Sequence, residues 1–259
     1  MGQTMSLDPL KVDEFRQKGF VAVPGLYDSR EISEVADWLQ VLECFDGADT
    51  DIATYFESSP ITGETVLMRA EYLLGEHNAA MTNLLLKPKT LCILKQLLGD
   101  DPVLFKEKAN YKLPGCRSDL LHQDHAAGWG NYADFFITML IAVDENRLDN
   151  AAVSFRDAGD HKLELLGPEW EVLSEEDPPF KPESDYRVIE AAPGDVVFFD
   201  CYVPHGSPAN ASPAARRNIY LTFNRARDGD CRMAYYHDKW ESYPPNTRDR
   251  ARTRDSFRV

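Results

Sequence analysis

The sequence predicts an α+β fold in which an N-terminal layer of helices supports a two-sheet β-sandwich or jelly roll. Apolar residues recur at helical spacing through much of the first hundred residues, and from residue 103 onward the pattern changes to that of strands. The chain has 259 residues, 43% of them hydrophobic, and no internal repeat, so one domain with a full core is expected. We predict helical support over about residues 8–100, a β core over about 101–225 and a C-terminal tail over 226–259.

The N-terminal helices and strand are predicted from helix-capping residues and from the glycine and proline residues that end them. Before residue 43 the sequence predicts a helix over 8–18 that ends at Gly19, a strand over 20–23 and a second helix capped by residues 28–31. Residues 43–75 fit no single pattern. A further helix is predicted over 79–98, where Pro88 should split it in two because proline removes a backbone donor and clashes with the preceding turn.

The later elements are mainly strands. Alternating or continuous apolar runs predict strands at 103–113, 134–143, 151–155, 196–199 and 217–224. The segment 168–187 is acidic and rich in proline, which predicts a loop or an active-site lid. The arginine-rich end of the chain alternates with aspartate and threonine and is expected to be solvated.

Charge and cysteine content limit the possible partners and compartment. A net charge of −15 argues against nucleic acid and against anionic membrane surfaces, because both require clustered lysine and arginine. It does not exclude a small anionic ligand, since a local patch can oppose the global sign. The five scattered cysteines form neither a disulfide framework nor a zinc motif, and no apolar run is long enough to span a membrane. A cytoplasmic protein is expected.

Three side chains have the composition of a metal site. His122 and Asp124 are two residues apart, so on a strand they would share one face, while His205 lies far downstream after the predicted strand 196–199. Two histidines and one carboxylate form the facial triad of non-haem Fe(II) oxygenases, which leaves coordination positions open. His125 would point to the opposite face of the same strand and is therefore not expected to be a ligand.

The motifs around these residues resemble the phytanoyl-CoA dioxygenase family of Fe(II)/2-oxoglutarate-dependent oxygenases. The resemblance rests on Gly19-Phe20-Val21-Ala22-Val23-Pro24-Gly25, on His122-Gln123-Asp124, and on His205-Gly206-Ser207 followed by Asn210, Ser212 and Arg216. These motifs span roughly residues 10–225. One departure is Gly159-Asp160-His161, where the family often has Gly-Ser-His, so no role is transferred from that motif.

The resemblance implies a double-stranded β-helix, a cupin-like jelly roll, with Fe(II), 2-oxoglutarate and O2 as cofactor and cosubstrates. It implies that His122, Asp124 and His205 bind iron and that Arg216 pairs with the far carboxylate of 2-oxoglutarate, a contact suited to a guanidinium fork. Lys112 and Ser207 are expected beside that carboxylate. Arg217 competes with Arg216 for this role, but the two point to opposite faces of one strand and the spacing from His205 favours Arg216.

The strand at 103–113 carries a basic face whose role has two interpretations. Lys106, Lys108, Asn110 and Lys112 would share one face, with Val103, Phe105, Ala109, Tyr111 and Leu113 on the other. The face would be that of a solvated edge strand, or it would line the site and contact 2-oxoglutarate or an anionic substrate. On the second interpretation Lys108 and Asn110 contact substrate. Trp129 would form a pocket wall or take part in ordinary loop packing.

The sequence therefore predicts a dioxygenase that hydroxylates an unactivated C–H bond of a small polar metabolite and releases succinate and CO2. We favour an organophosphonate such as 2-aminoethylphosphonate as substrate, because lysines suit the phosphonate and acidic side chains suit the amine. Two alternatives stay open at this stage. One is a non-catalytic cupin-like binding protein, and the other is an iron dioxygenase that does not use 2-oxoglutarate.

Overall fold

Two antiparallel sheets and a layer of helices make up the computed structural model, which describes residues 6–43, 51–166 and 185–245. The larger sheet has the strand order β1-β9-β6-β11-β4-β3-β2, and the smaller has the order β5-β10-β7-β8. The helices are α1 (Pro9–Lys18), α2 (Ser29–Glu43), α3 (Ala79–Leu85), α4 (Pro88–Leu98) and α5 (Arg232–Ser242). The fold is a jelly roll, as the sequence predicts.

The first four strands all belong to the larger sheet, and from β5 onward the chain passes back and forth between the two sheets. They are β1 (Phe20–Val23), β2 (Ala53–Ser58), β3 (Thr65–Glu71), β4 (Pro102–Lys112), β5 (Asp119–His122), β6 (Ile137–Ala142), β7 (Ser154–Arg156), β8 (Tyr186–Val188), β9 (Val196–Asp200), β10 (His205–Ser207) and β11 (Arg216–Arg225). Most of the segment 168–187, predicted as a lid, lies outside the described residues, and so does the arginine-rich end of the chain.

The larger sheet is buried on both faces, which explains its continuous apolar runs. In β9, Val196 and Phe198 pack toward the helices, whereas Val197 and Phe199 pack between the two sheets. The turn into β9 requires glycine at position 194, where φ is +94° and a Cβ would lie 2.3 Å from the carbonyl oxygen of Tyr27.

Two regions differ from the predicted boundaries. The unassigned stretch 43–75, placed within the helical support, contains β2 and β3, which extend the larger sheet. The expected tail contains α5, whose Tyr235, Tyr236 and Lys239 are buried. The two parts of the 79–98 helix end and begin on either side of residues 86–87, so the predicted break at Pro88 is confirmed.

Candidate iron and 2-oxoglutarate site

The smaller sheet brings the predicted metal ligands together. His122 ends β5 and His205 begins β10, and the two are direct partners in the antiparallel pairing of these strands. One ligand atom from each of His122, Asp124 and His205 can be chosen so that all lie within 4.8 Å of one another. Among the described residues this is the only such group of histidine, cysteine, aspartate and glutamate side chains.

Asp124 lies beyond the end of strand β5, so strand alternation does not determine where its side chain points. The strand ends at His122, and Asp124 is the first residue of a 3-10 turn over Asp124–Ala127. The prediction that both residues share a strand face was therefore wrong, although the two side chains do converge. The turn also directs His125 away, because its ring stacks on Tyr202 at 4.6 Å between centroids.

Backbone carbonyls fix the orientation of both imidazoles. The Nδ1 of His122 lies 2.6 Å from the carbonyl oxygen of Leu120, and the Nδ1 of His205 lies 3.0 Å from that of Val203. Since a carbonyl only accepts, each Nδ1 carries the proton, and each Nε2 is the ring nitrogen with a lone pair to offer a metal.

Charges in the triad suit a divalent cation. Burial opposes ionisation of Asp124, but the neighbouring His122 and His205 rings and the ammonium of Lys106 hold the pKa of that carboxyl well below its usual range. Burial, and then the neighbouring His122, lowers the pKa of His205 to about 4. At neutral pH the site thus offers the carboxylate of Asp124 and the neutral imidazole of His205, the protonation states that metal binding requires.

The motif residue Gly206 permits the close approach of β10 to β5. A Cβ at this position would lie 3.0 Å from the carbonyl oxygen of Asp119 and 3.3 Å from the backbone nitrogen of Leu121. A side chain would therefore press on the strand that carries His122.

A cavity of about 360 Å³ lies against the triad, within the size range of small-molecule sites. All of the predicted site residues except Arg216 line it. These are His122, Asp124, His205, Lys112, Ser207, Lys108, Asn110 and Trp129.

Strand β4 lies in the interior of its sheet, between β11 and β3, so the edge-strand interpretation of its basic face was wrong. Lys106 and Lys112 are only 6% and 4% exposed. Trp129 is buried and also lines the cavity, so it belongs to the pocket wall.

Arg216 lies next to the cavity as the cross-strand partner of Lys112 on β4. It is 1% exposed, and its Nε has no hydrogen-bond partner among the described residues. Burying an unsatisfied donor costs on the order of 1–3 kcal/mol, which an incoming carboxylate would offset. Arg217 points the other way and forms an ion pair with Asp144 at 2.8 Å, so the parity argument that separated the two arginines is confirmed.

Asp119, which the sequence analysis missed, links the residues predicted to hold 2-oxoglutarate. Its Oδ2 accepts hydrogen bonds from Lys112 Nζ at 2.9 Å and from Ser207 Oγ at 3.0 Å. Burial opposes its ionisation, but Lys112, Arg216 and Arg117 hold the pKa of Asp119 well below its usual range. The antiparallel pairing of β10 with β5 places Ser207 opposite Asp119. Predicting that pairing would have identified Asp119 as a neighbour of Ser207.

Lys106 and Lys108 differ from the other cavity cations in having no carboxylate partner among the described residues. Each ammonium lies over an aromatic ring, Lys106 at 4.5 Å from the Trp129 centroid and Lys108 at 4.9 Å from that of Tyr220. A cation–π contact is worth about 0.5–2 kcal/mol, whereas burying an ion costs several kcal/mol, so the rings do not compensate fully. Burial, followed by the charge of Lys108, lowers the pKa of Lys106 to about 7.

A jelly roll that carries two histidines and a carboxylate beside a buried arginine defines the class of non-haem iron oxygenases. The donor set fits Fe(II), and the unsatisfied Arg216 Nε fits the carboxylate of 2-oxoglutarate. Residues 15–218 match the family described as phytanoyl-CoA dioxygenase (PhyH). The chain belongs to this family, and it is a 2-oxoglutarate-dependent non-haem iron dioxygenase that uses Fe(II), 2-oxoglutarate and O2.

Two curated relatives cover most of the chain. A 2-aminoethylphosphonate dioxygenase of the uncultured bacterium HF130_AEPn_1 is 32% identical over 90% of this chain and 87% of its own. A methylphosphonate hydroxylase of Gimesia maris is 30% identical over 92% of this chain and 88% of its own.

Solved structures agree in fold. EctD from S. alaskensis, crystallised with 2-oxoglutarate and 5-hydroxyectoine, superposes with a TM-score of 0.68 at 17% identity, over 88% of this chain and 79% of its own. The carbocyclase SnoK from nogalamycin biosynthesis gives 0.65 at 18% identity, over 85% of each chain. In the part of the chain that the structure describes, no helix is long and apolar enough to cross a membrane.

Proposed function

We propose that the protein hydroxylates a C–H bond next to phosphorus in a small organophosphonate such as 2-aminoethylphosphonate. The observation that carries the proposal is the pair of cavity lysines, Lys106 and Lys108, which have no carboxylate partner among the described residues. The names of the two curated relatives, both of which act on phosphonates, support the same substrate class.

The reaction joins one oxygen atom of O2 to the substrate carbon and the other to the carbon skeleton of 2-oxoglutarate, which leaves as succinate and CO2. When bound, Fe(II) with 2-oxoglutarate and O2 supplies an oxidant strong enough to remove hydrogen from an unactivated C–H bond. The work of the chain is to hold the metal, orient both organic molecules and exclude water.

Each predicted residue has a role in this proposal. His122, Asp124 and His205 hold the metal. Arg216 binds the far carboxylate of 2-oxoglutarate, with Lys112 and Ser207 beside it. Lys108, Asn110 and Trp129 form the substrate side of the cavity.

The amine of 2-aminoethylphosphonate would require an acidic partner. Glu57 and Asp119 both line the cavity, where they pair with Arg117 and Lys112, so an ammonium group would share one of these carboxylates. The partner is then a small polar, anionic molecule and not nucleic acid, in keeping with the net charge of −15. A cytoplasmic location fits the free thiols of Cys92, Cys116, Cys201 and Cys231.

A succinate-release assay with matched substrates tests this function. 2-Aminoethylphosphonate and methylphosphonate would be compared with taurine and β-alanine, which replace the phosphonate by sulfonate and carboxylate. We expect the phosphonates to give the highest rates, with one hydroxylated product per succinate. Faster coupled turnover of the sulfonate or the carboxylate would contradict the proposal.

A further inference from the structure

The charged side chains that line the cavity are mostly paired with one another. Three of the five cations have a carboxylate at hydrogen-bond distance. Arg69 pairs with Glu71 at 2.8 Å, Lys112 with Asp119 at 2.9 Å and Arg117 with Glu57 at 2.7 Å.

The remaining two cations are Lys106 and Lys108. Neither has a hydrogen bond or an ion pair with any residue that the structure describes, and both ammonium groups face aromatic rings instead. They are two residues apart on the inner face of β4, which places their stems about 7 Å apart. Two adjacent ammonium groups repel each other, so a ligand that contacts both is stabilised if it carries two negative charges.

The position of the pair is fixed by its neighbours. Lys108 is the cross-strand partner of Tyr220 on β11, and Lys106 is that of Thr222. The charge of Asp124 acts on both lysines, so the pair lies close to the metal ligands. Lys112, by contrast, is the partner of Arg216 at the other end of the same strand face.

Charge balance indicates what the pair binds. Fe(II) with Asp124 carries one net positive charge, and 2-oxoglutarate with Arg216 carries one net negative charge, so these four groups cancel. Among the cations that line the cavity, Lys106 and Lys108 are then the two without a carboxylate partner. A dianionic head group neutralises them, whereas a single carboxylate or a neutral substrate leaves a buried charge without a partner.

We propose that Lys106 and Lys108 together form the subsite for the doubly charged tetrahedral head group of the substrate, next to the metal and apart from the 2-oxoglutarate end of the cavity. The inference rests on the proposed function for the identity of the substrate, but the subsite itself is a property of the chain. It also assigns a role to Lys106, which the sequence analysis left without one.

The test uses inorganic phosphate as probe and the protein loaded anaerobically with Fe(II) and 2-oxoglutarate. Calorimetry would compare the wild type with Lys106→Met, Lys108→Met and the control Lys95→Met, which removes a surface lysine of α4. We expect the wild type and the control to bind phosphate equally, and each cavity variant to bind it about tenfold or more weakly because a charged contact in a buried site is lost. The affinity for 2-oxoglutarate should stay unchanged in all variants.

Three results would overturn the subsite: no phosphate binding by the wild type, unchanged phosphate binding in both cavity variants, or an equal loss of 2-oxoglutarate affinity. If phosphate binding depends on both lysines but no phosphonate is turned over, the subsite stands and the proposed reaction fails.

A measurement on the wild type alone covers the case in which a variant does not fold. Reductive methylation followed by peptide mass spectrometry would map lysine reactivity with and without phosphate. Phosphate should protect Lys106 and Lys108 but leave Lys95 reactive, and equal reactivity of the two cavity lysines in both conditions would contradict the proposal.

Discussion

At the level of single residues, the site is made of side chains that can still bind a ligand. Each has one atom, or its whole charge, that is not paired with another group of the protein. The Nδ1 atoms of His122 and His205 are engaged by carbonyl oxygens, so their Nε2 atoms are available to the metal. Arg216 is buried with an unsatisfied Nε, while Lys106 is buried and Lys108 half-buried, and neither lysine has a carboxylate partner among the described residues. The same pattern therefore supports the metal, cosubstrate and substrate positions proposed above.

The two adjacent arginines of β11 allow a matched test of the 2-oxoglutarate position. Arg216→Met removes the proposed carboxylate contact and should raise the KM for 2-oxoglutarate by about tenfold or more, since charged hydrogen bonds contribute roughly 1.5–3 kcal/mol. Arg217→Met removes the ion pair with Asp144 on the opposite face and should leave that KM unchanged. A larger effect of the Arg217 variant in steady-state kinetics would reverse the assignment.

The pKa of Lys106, lowered to about 7 by burial and by Lys108, predicts a pH dependence of anion binding. Asp124 and Glu71 act in the opposite direction, and Arg69 acts in the same direction as Lys108. A lowered pKa means that Lys106 loses its proton as the pH rises through about 7, so an anion that needs its charge should bind progressively more weakly above this pH.

Sulfate is the suitable probe for this effect, because it stays a dianion throughout the range and any pH dependence then belongs to the protein. Its affinity for the protein should fall by up to about tenfold per pH unit above pH 7, as expected for a single linked proton. Lys106→Met should abolish this dependence. A wild-type affinity that is constant between pH 6 and pH 9 would show that Lys106 does not titrate with binding.

At the level of elements, strand alternation correctly predicted which side chains share a face of a strand in most cases. It failed where the backbone departs from regular strand pairing. It separated Arg216 from Arg217 and placed Lys106, Lys108, Asn110 and Lys112 together. It failed after His122, because a 3-10 turn replaces the strand.

Strand alternation also predicted the wrong face for Phe105. The register of β4 against β11 shifts between Leu104 and Lys106, so Phe105 packs with Trp129 and not with Ala109 and Tyr111. Such a bulge inserts one residue into one strand and changes the face from that point onward. Its position depends on the partner strand, which local sequence does not reveal.

Helix α5 was missed although its sequence contained a signal. Tyr236, Trp240 and Tyr243 recur at helical spacing in the segment interpreted as a tail. Lys239 of this helix is 1% exposed and lies 2.6 Å from Glu71 of β3, which also pairs with Arg69. Burial opposes the ionisation of Glu71, but Lys239 and Arg69 lower its pKa to about 2.

This buried pair predicts that α5 contributes to the stability of the sheet. Lys239→Met leaves the Glu71 carboxylate with Arg69 alone and should lower the free energy of unfolding by about 3 kcal/mol, the lower end of the range for breaking a buried ion pair. Urea denaturation would measure it, with His237→Gln on the exposed face of the same helix as control. Equal stability of the two variants would mean that α5 is not coupled to β3 through this contact.

At the level of the whole molecule, the chain combines an acidic exterior with a cavity that carries unpaired positive charge. The net charge is −15, yet the lining of the cavity includes five lysine or arginine residues. The jelly roll makes this possible because its two sheets shield the interior from the surface charges. The fold, the triad, Arg216 and the basic face of β4 were predictable from motifs, spacing and strand alternation, whereas Asp119 and Arg69 became site residues only through cross-strand neighbours far apart in sequence.

The central claim is that one cavity of this chain binds Fe(II) and 2-oxoglutarate together and uses them to activate O2. Anaerobic addition of both to the protein should produce a metal-to-ligand charge-transfer absorption band, and O2 should bleach the band with release of succinate. Asp124→Ala should abolish the band and the succinate, while His125→Gln, which changes the neighbouring residue outside the triad, should retain both. Absence of the band in the wild type, or undiminished succinate release by the Asp124 variant, would contradict the account.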